Sequence, residues 1–236
     1  LEISKGKQIH QGRILRVCQT KDPERLLLVF RDDKPGAKTG DGRIKNRGRI
    51  NNAISSALFK YLESFHVPTH FIDCPKPNEM LVWALSMLPV QVKIWNYSSG
   101  SLCKRFGLEK EAPLDCPVVE YYLKNPSLKF PMISLDHISA FRLASSEALL
   151  LLEKMARKIN AVLKSYFERR EIVLADLELE FGMRQDQLLL GDALTPDTCQ
   201  LWDFRGSQKP NSKSFQVDDT GDAGAAYEAL YQRIVG

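Results

Sequence analysis

The period of hydrophobic repetition changes abruptly near residue 171, and that change constrains the fold more than any other feature of the chain. From about Ser145 to Arg170, the residues Leu149, Leu152, Met155, Ile159, Val162, Leu163, Tyr166 and Phe167 recur at the spacing of an amphipathic helix. Ser145 or Ser146 is placed to cap its first turn, and Arg169 and Arg170 stand where the helix dipole favours cations. Directly afterwards comes Ile172-Val173-Leu174-Ala175-Asp176-Leu177-Glu178-Leu179-Glu180-Phe181-Gly182, which from Ala175 onward alternates apolar and acidic side chains with the two-residue period of a strand. A helix with one apolar stripe, followed at once by a strand with one apolar face, buries both against a shared core. The expected class is α+β, with a sheet covered by helices.

The other elements are less sharply marked. Gly12 to Cys18 and Arg25 to Phe30, separated by the turn signal Lys21-Asp22-Pro23, predict a hairpin. Lys34 to Gly48, rich in Gly, Lys and Arg, predicts a mobile loop. The apolar positions Ile54, Leu58, Tyr61, Leu62 and Phe65 predict a helix over Asn51 to Phe65, ending before Pro68. Val67 to Cys74 and Val90 to Tyr97 read as strands of one sheet, with Met80 to Met87 between them ambiguous in period. A last helix is expected over Ala223 to Ile234.

Composition narrows the class. With 236 residues and 44% hydrophobic content, the chain is long enough to bury a sizeable core. Even Met80 to Val92 is short and interrupted by Ser86, Pro89 and Gln91, so no membrane span is expected. No signal peptide is evident; the first residue is Leu rather than Met, which leaves the true N-terminus open. Five scattered cysteines without a Cys-x-x-Cys pair fit reduced thiols in a cytoplasm. His66 and His70 are four apart, but Pro68 between them argues for a loop or strand edge over a metal-binding helix. Arg43, Lys45, Arg47 and Arg49 alternate without interleaved aromatics, which reads as a solvated loop, and no nucleic-acid partner is expected.

The acidic alternation carries chemistry. Asp176, Glu178 and Glu180 share one strand face, about 7 Å apart, where neighbouring carboxylates repel by roughly 2 kcal/mol at an effective dielectric of ~20. Met183 to Gln187 offers a turn and Leu188 to Asp192 a returning strand, which brings Asp192 opposite that face. Either water relieves the repulsion on a solvated face, or a divalent cation such as Mg2+ relieves it in a cleft.

Several blocks, in order, resemble the SAICAR synthetase (phosphoribosylaminoimidazole-succinocarboxamide synthase) family: Asn51-Asn52-Ala53-Ile54-Ser55, Pro68-Thr69-His70-Phe71, Gly100-Ser101-Leu102 with Lys104-Arg105, Pro131-Met132-Ile133, Asp136-His137, Asp176 to Gly182, and Thr195-Pro196-Asp197 followed by Leu201-Trp202-Asp203. The likeness spans roughly residues 9 to 235. It implies an α+β fold of two lobes, drawn here at 1–90 for the nucleotide-binding lobe and 91–236 for the lobe with the metal and substrate site, with a nucleotide cleft between them. It implies an enzyme that joins carboxyaminoimidazole ribonucleotide to L-aspartate with ATP and Mg2+. Asp176, Glu180 and Asp192 are thereby expected as catalytic and metal-binding acids, with Arg13, Met87, Glu180 and Asp192 toward the nucleotide. Met87 lies near the adenine on this reading, or packs as a core methionine. Trp95, Tyr97, Gly100, Ser101, Lys104, Arg105, Glu178 and Gln200 are the expected substrate contacts, and a homo-oligomer is implied by analogy.

The chain also departs from the family pattern. Its Gly-Lys-x-Lys motif reads Gly12-Arg13-Ile14-Leu15, its Leu-Val-Lys-Lys segment reads Leu81-Val82-Trp83-Ala84, and its arginines are replaced by Trp95 and Gln200. Phe130 and Ala193 replace acids, and Glu178 replaces a lysine between the metal acids. Charge-assisted bonds to phosphate contribute about 1.5 to 3 kcal/mol each, so losing two weakens binding by roughly two to four powers of ten. Trp95 and Tyr97 are suited to stack on a base or ribose, and Arg105, Lys104 or Lys93 to take over a phosphate. The expectation drawn from these losses is a diverged family member acting on a purine-like nucleotide or nucleoside in nucleoside-antibiotic biosynthesis, of the coformycin or C-nucleoside type. The alternatives are an authentic SAICAR synthetase with compensating cations and a non-catalytic nucleotide-binding relative. Glu178 is further expected to repel an anionic co-substrate such as aspartate.

Overall fold

The structure is a computed structural model that describes residues 5–33, 44–205, 210–212, 215 and 223–236. It opens with three strands, β1 (Gln8–Gln11), β2 (Leu15–Gln19) and β3 (Arg25–Phe30), then helix α1 (Arg47–Ser64) and strands β4 (Phe71–Lys76) and β5 (Glu79–Trp83). These five strands make one antiparallel sheet in the order β1-β2-β3-β5-β4. The chain then crosses at Ala84 and Leu85 into strand β6 (Ser86–Tyr97), helix α2 (Gly100–Phe106), strand β7 (Pro113–Leu123), strand β8 (Met132–Ile133) and the short helix α3 (Leu135–Ala140). Helix α4 (Ser146–Glu168), strands β9 (Ile172–Arg184), β10 (Gln187–Leu190) and β11 (Cys199–Asp203), and helix α5 (Ala223–Ile234) complete it. The second sheet runs β10-β9-β6-β7-β8, and β11 pairs with the first half of β9.

The change of period near residue 171 marks the junction between α4 and β9. Ser145 caps α4 by accepting the Ala148 amide at 3.1 Å. The helix buries Leu152, Ala156, Ile159, Leu163, Tyr166 and Phe167 against the core while Leu150 and Leu151 face outward. β9 holds a bulge: Gln200 pairs with Asp176 and Leu201 with Leu174, leaving Ala175 as the extra residue. The bulge resets the pleat, so that Leu174 and Leu177, three apart, both enter the core. That is why acid and apolar residues alternate cleanly only after Ala175. One hydrophobic cluster runs through both sheets, from Leu28 and Met80 to Val92, Leu179 and Phe181.

Three expectations change. β4 and β6 stand in different sheets, because β5 pairs with β3 and β4 before the crossing at Ala84. Of the segment expected as a loop, residues 34–43 lie outside the described residues, and α1 begins at Arg47, four residues earlier than periodicity predicts. Arg47 is therefore no solvated loop cation. It is buried, with Nε donating to the Tyr227 hydroxyl at 3.0 Å and Nη2 to Asp197 Oδ1 at 2.7 Å. No helix among the described residues is long and apolar enough to cross a membrane.

Candidate active site on the acidic sheet face

Strand register assembles the site. On β6, Trp95, Lys93 and Gln91 stand opposite Asp176, Glu178 and Glu180 of β9. One strand further, Glu120 and Tyr122 of β7 stand opposite Lys93 and Gln91. Residues directly opposite in an antiparallel pair share a face, so all of these side chains emerge on one side of the sheet.

Cations answer most of the acids. The Lys93 ammonium lies 3.2 Å from Asp176 Oδ1 and 3.0 Å from Glu178 Oε1, and 4.3 Å above the Trp95 ring. Burial alone would depress the Lys93 pKa, but Asp176 and Glu178 outweigh it and raise it. Gln91 Nε2 donates to Glu178 Oε2 at 3.2 Å, and Lys124 is paired with Glu180. The Ser99 hydroxyl donates to Asp176 Oδ2 at 3.1 Å and lies 3.0 Å from the side-chain amide of Gln200. Burial pushes Glu120 up, yet Arg105 Nη2 at 2.7 Å, the Tyr122 hydroxyl at 2.7 Å and Trp95 Nε1 at 2.8 Å together hold its carboxyl below the ordinary value.

The far end of β9 is different. β10 returns along it, Gly191 donates its amide to the Glu180 carbonyl at 2.8 Å, and the next residue, Asp192, takes a left-handed backbone with φ 54. Burial and the neighbouring Glu180 carboxylate push Asp192 up to about 7. Met87 fits against two glycines at this corner: a Cβ at Gly182 would fall 3.0 Å from its Sδ, and one at Gly191 3.1 Å from its Cε. Its outer side stays 39% exposed, so Met87 borders the corner and is no core methionine.

The expected acidic trio is thus a pair. Asp176 and Glu180 stand four positions apart, about 13 Å along β9, and among the described residues no three His, Cys, Asp or Glu side chains group as a metal site. Glu180 bears electrostatically on Asp192, while Asp176 is paired with Lys93 and Ser99. Two carboxylates that repel each other, with phosphate and water oxygens completing the shell, are a donor set that Mg2+ takes. Trp95 does not present a stacking face, since β7 and α2 bury it to 1% exposure with its indole nitrogen on Glu120. Tyr97 is half-buried with its ring edge-on to Trp202 at 5.3 Å. Glu178 adds less repulsion than its charge suggests, because Lys93 neutralises it. Arg13 keeps one cation of its motif and lies exposed in the turn between β1 and β2, and Leu15, where the motif's other cation is lost, is buried opposite Phe30. Gly100, Ser101, Lys104 and Arg105 lie on the first two turns of α2, directly after Ser99, with Gly100 at φ 47.

The family model described as SAICAR synthetase matches residues 8–234. The chain belongs to the SAICAR synthetase family. A phosphoribosylaminoimidazole-succinocarboxamide synthase from Acaryochloris marina is 38% identical over 99% of this chain and 97% of its own length. The corresponding enzyme structure from Ehrlichia chaffeensis superposes with a TM-score of 0.87 at 31% identity, over 97% of this chain and 98% of that one. A SAICAR synthetase in complex with ADP superposes with a TM-score of 0.86 at 33% identity, covering all of this chain and 98% of that one. The likeness to the SAICAR synthetase family confirms the α+β fold. It gives no support to a nucleoside-antibiotic role, since these relatives carry the name of the purine-pathway enzyme. Sequence reading overlooked Lys124, Glu120 and Ser99. Only the alternation Glu120, Tyr122, Lys124, on β7 and one residue past its end, carried a signal for any of them.

Proposed function

We propose that this chain is a SAICAR synthetase, joining the carboxylate of carboxyaminoimidazole ribonucleotide to the amine of L-aspartate at the expense of ATP. The Glu180 and Asp192 pair carries the reading: two acids held against each other beside Met87, in a chain matched end to end by relatives of that name, one of them solved with ADP. A carboxylate is a poor acyl donor, so the γ-phosphoryl group of ATP passes to a carboxylate oxygen, releasing ADP and leaving an acyl phosphate. The aspartate amine, having lost a proton, attacks the acyl carbon, the C–O bond to phosphate breaks, and an amide and inorganic phosphate result. Mg2+, held by Glu180 and Asp192, would neutralise phosphate charge during the transfer. Lys124 beside Glu180 adds a positive charge at the same corner, and Lys93 and Arg105, with Ser101 and Lys104 of α2, supply cations and donors to an anionic substrate. These cations compensate in part for the lysines and arginines the family pattern would add.

The test is ADP release with carboxyaminoimidazole ribonucleotide, L-aspartate, ATP and Mg2+. Turnover on the order of 1 to 1,000 per second, dependent on all four, is expected. Release that ignores aspartate would sink the reading.

A further inference from the structure

We infer that Glu178 is a substrate-binding residue whose carboxylate receives the ammonium end of aspartate, one same-face step along β9 from the Glu180 corner. This rests on the proposed reaction. On the sheet face, Glu120 has the cation of Arg105 and Glu180 that of Lys124, whereas Asp176 and Glu178 share the ammonium of Lys93. Two carboxylates around one cation leave one negative charge unanswered there among the described residues. The two acids differ in access. Asp176 is closed: its side chain is 7% exposed, one oxygen faces Lys93, and the other accepts the Ser99 hydroxyl at 3.1 Å. Glu178 is open, with its side chain 23% exposed.

The open acid is also oriented. Lys93 stands directly opposite it in register and rests over the Trp95 ring at 4.3 Å, donating to Oε1 at 3.0 Å, while Gln91 donates to Oε2 at 3.2 Å. A carboxylate has about four lone-pair sites, so each oxygen keeps roughly one for a further donor. Of the organic substrates in the reaction, ATP and carboxyaminoimidazole ribonucleotide bring phosphates and a carboxylate, and aspartate alone brings a positive group. Same-face positions on a strand lie about 7 Å apart, so an amine on Glu178 sits beside the corner where the acyl phosphate forms. The charge that repels aspartate's two carboxylates attracts its amine, and therefore sets which end of the molecule enters first.

The experiment sets L-aspartate against succinate, the same dicarboxylate without the amine, in the full chain. By calorimetry with ADP and Mg2+ present, the wild-type chain is expected to bind aspartate at least about 10-fold more tightly than succinate. Glu178→Gln keeps the shape of the side chain and removes its charge. It is expected to raise the aspartate KM by about 10- to 100-fold, with kcat at saturating aspartate little changed and the inhibition constant of succinate unmoved. A wild-type aspartate KM in Glu178→Gln overturns the inference. So does a rise shared equally by aspartate and succinate, which would mark a distorted site instead of a lost amine contact. If Glu178→Gln does not fold, the wild-type comparison decides: succinate bound as tightly as aspartate removes the role, and a preference for aspartate supports it. A wild-type chain that forms no SAICAR defeats the proposed function, while the calorimetric comparison still decides whether the amine is held.

Discussion

Two aspartates five residues apart illustrate opposite uses of a partly buried charge. Asp197 is satisfied from two helices, by Arg47 at 2.7 Å, Asn51 at 3.0 Å and the Tyr227 hydroxyl at 2.9 Å, and so locks α5 onto α1. Asp192 stands near another carboxylate on a left-handed backbone and draws charge pressure from it. A carboxylate with all its partners present is finished structure; one held in place against repulsion is prepared for a ligand.

The comparison breaks most visibly at Arg47. Arg47→Ala leaves Asp197 buried without its cation and is expected to destabilise the chain by about 3 to 5 kcal/mol in urea unfolding. The protein that stays folded should keep its kcat, and a loss of kcat in fully folded protein would erase the distinction. Asp192→Asn should behave in the reverse way. Removing the repulsion with Glu180 leaves stability equal or higher, while turnover falls by about 100- to 1,000-fold, as for loss of a charge-stabilising group.

Acid titration sharpens the contrast further. The His70 pKa falls from 6.5 when unfolded to about 4 when folded, so its contribution is present above pH 6.5 and is lost as pH falls toward 4. Asp192 rises from 3.8 to about 7, so its contribution is present below pH 3.8 and is lost as pH rises toward 7. The two oppose each other across the same window, and their sum in the wild type is expected to be nearly flat. Asp192→Asn should expose the histidine alone, with stability dropping by about 3 kcal/mol between pH 6.5 and 4. The smallest effect is expected at Asp176, which lies between the two extremes. Ser99→Ala removes one donor while Lys93 remains, costing about 1 to 2 kcal/mol of stability with the ion pair intact.

Much of this was legible in the sequence where the signal was local. The α4 stripe, the β2 and β3 hairpin, the acidic face of β9 and the return of Asp192 all follow from periodicity and turn residues within a short window. What escaped depends on register between distant strands. Nothing near Glu178 announces that Lys93 will stand opposite it, and nothing near Trp95 announces that Glu120 of β7 will take its indole nitrogen. The bulge at Ala175 was invisible for the same reason, since it is defined by pairing with β11. Arg47 was misread because a charged residue in a basic, glycine-rich stretch resembles solvated loop until its partners, 150 and 180 residues away, are known.

The undivided core has a thermodynamic consequence. With Leu28 and Met80 of the first sheet packed in one cluster with Val92 and Phe181 of the second, neither sheet keeps its apolar face covered if the other melts. Heat should therefore unfold the described fold in a single cooperative step. A nucleotide that touches only the Glu180 corner would then raise the melting temperature of the whole chain, by an amount set by its concentration relative to its dissociation constant.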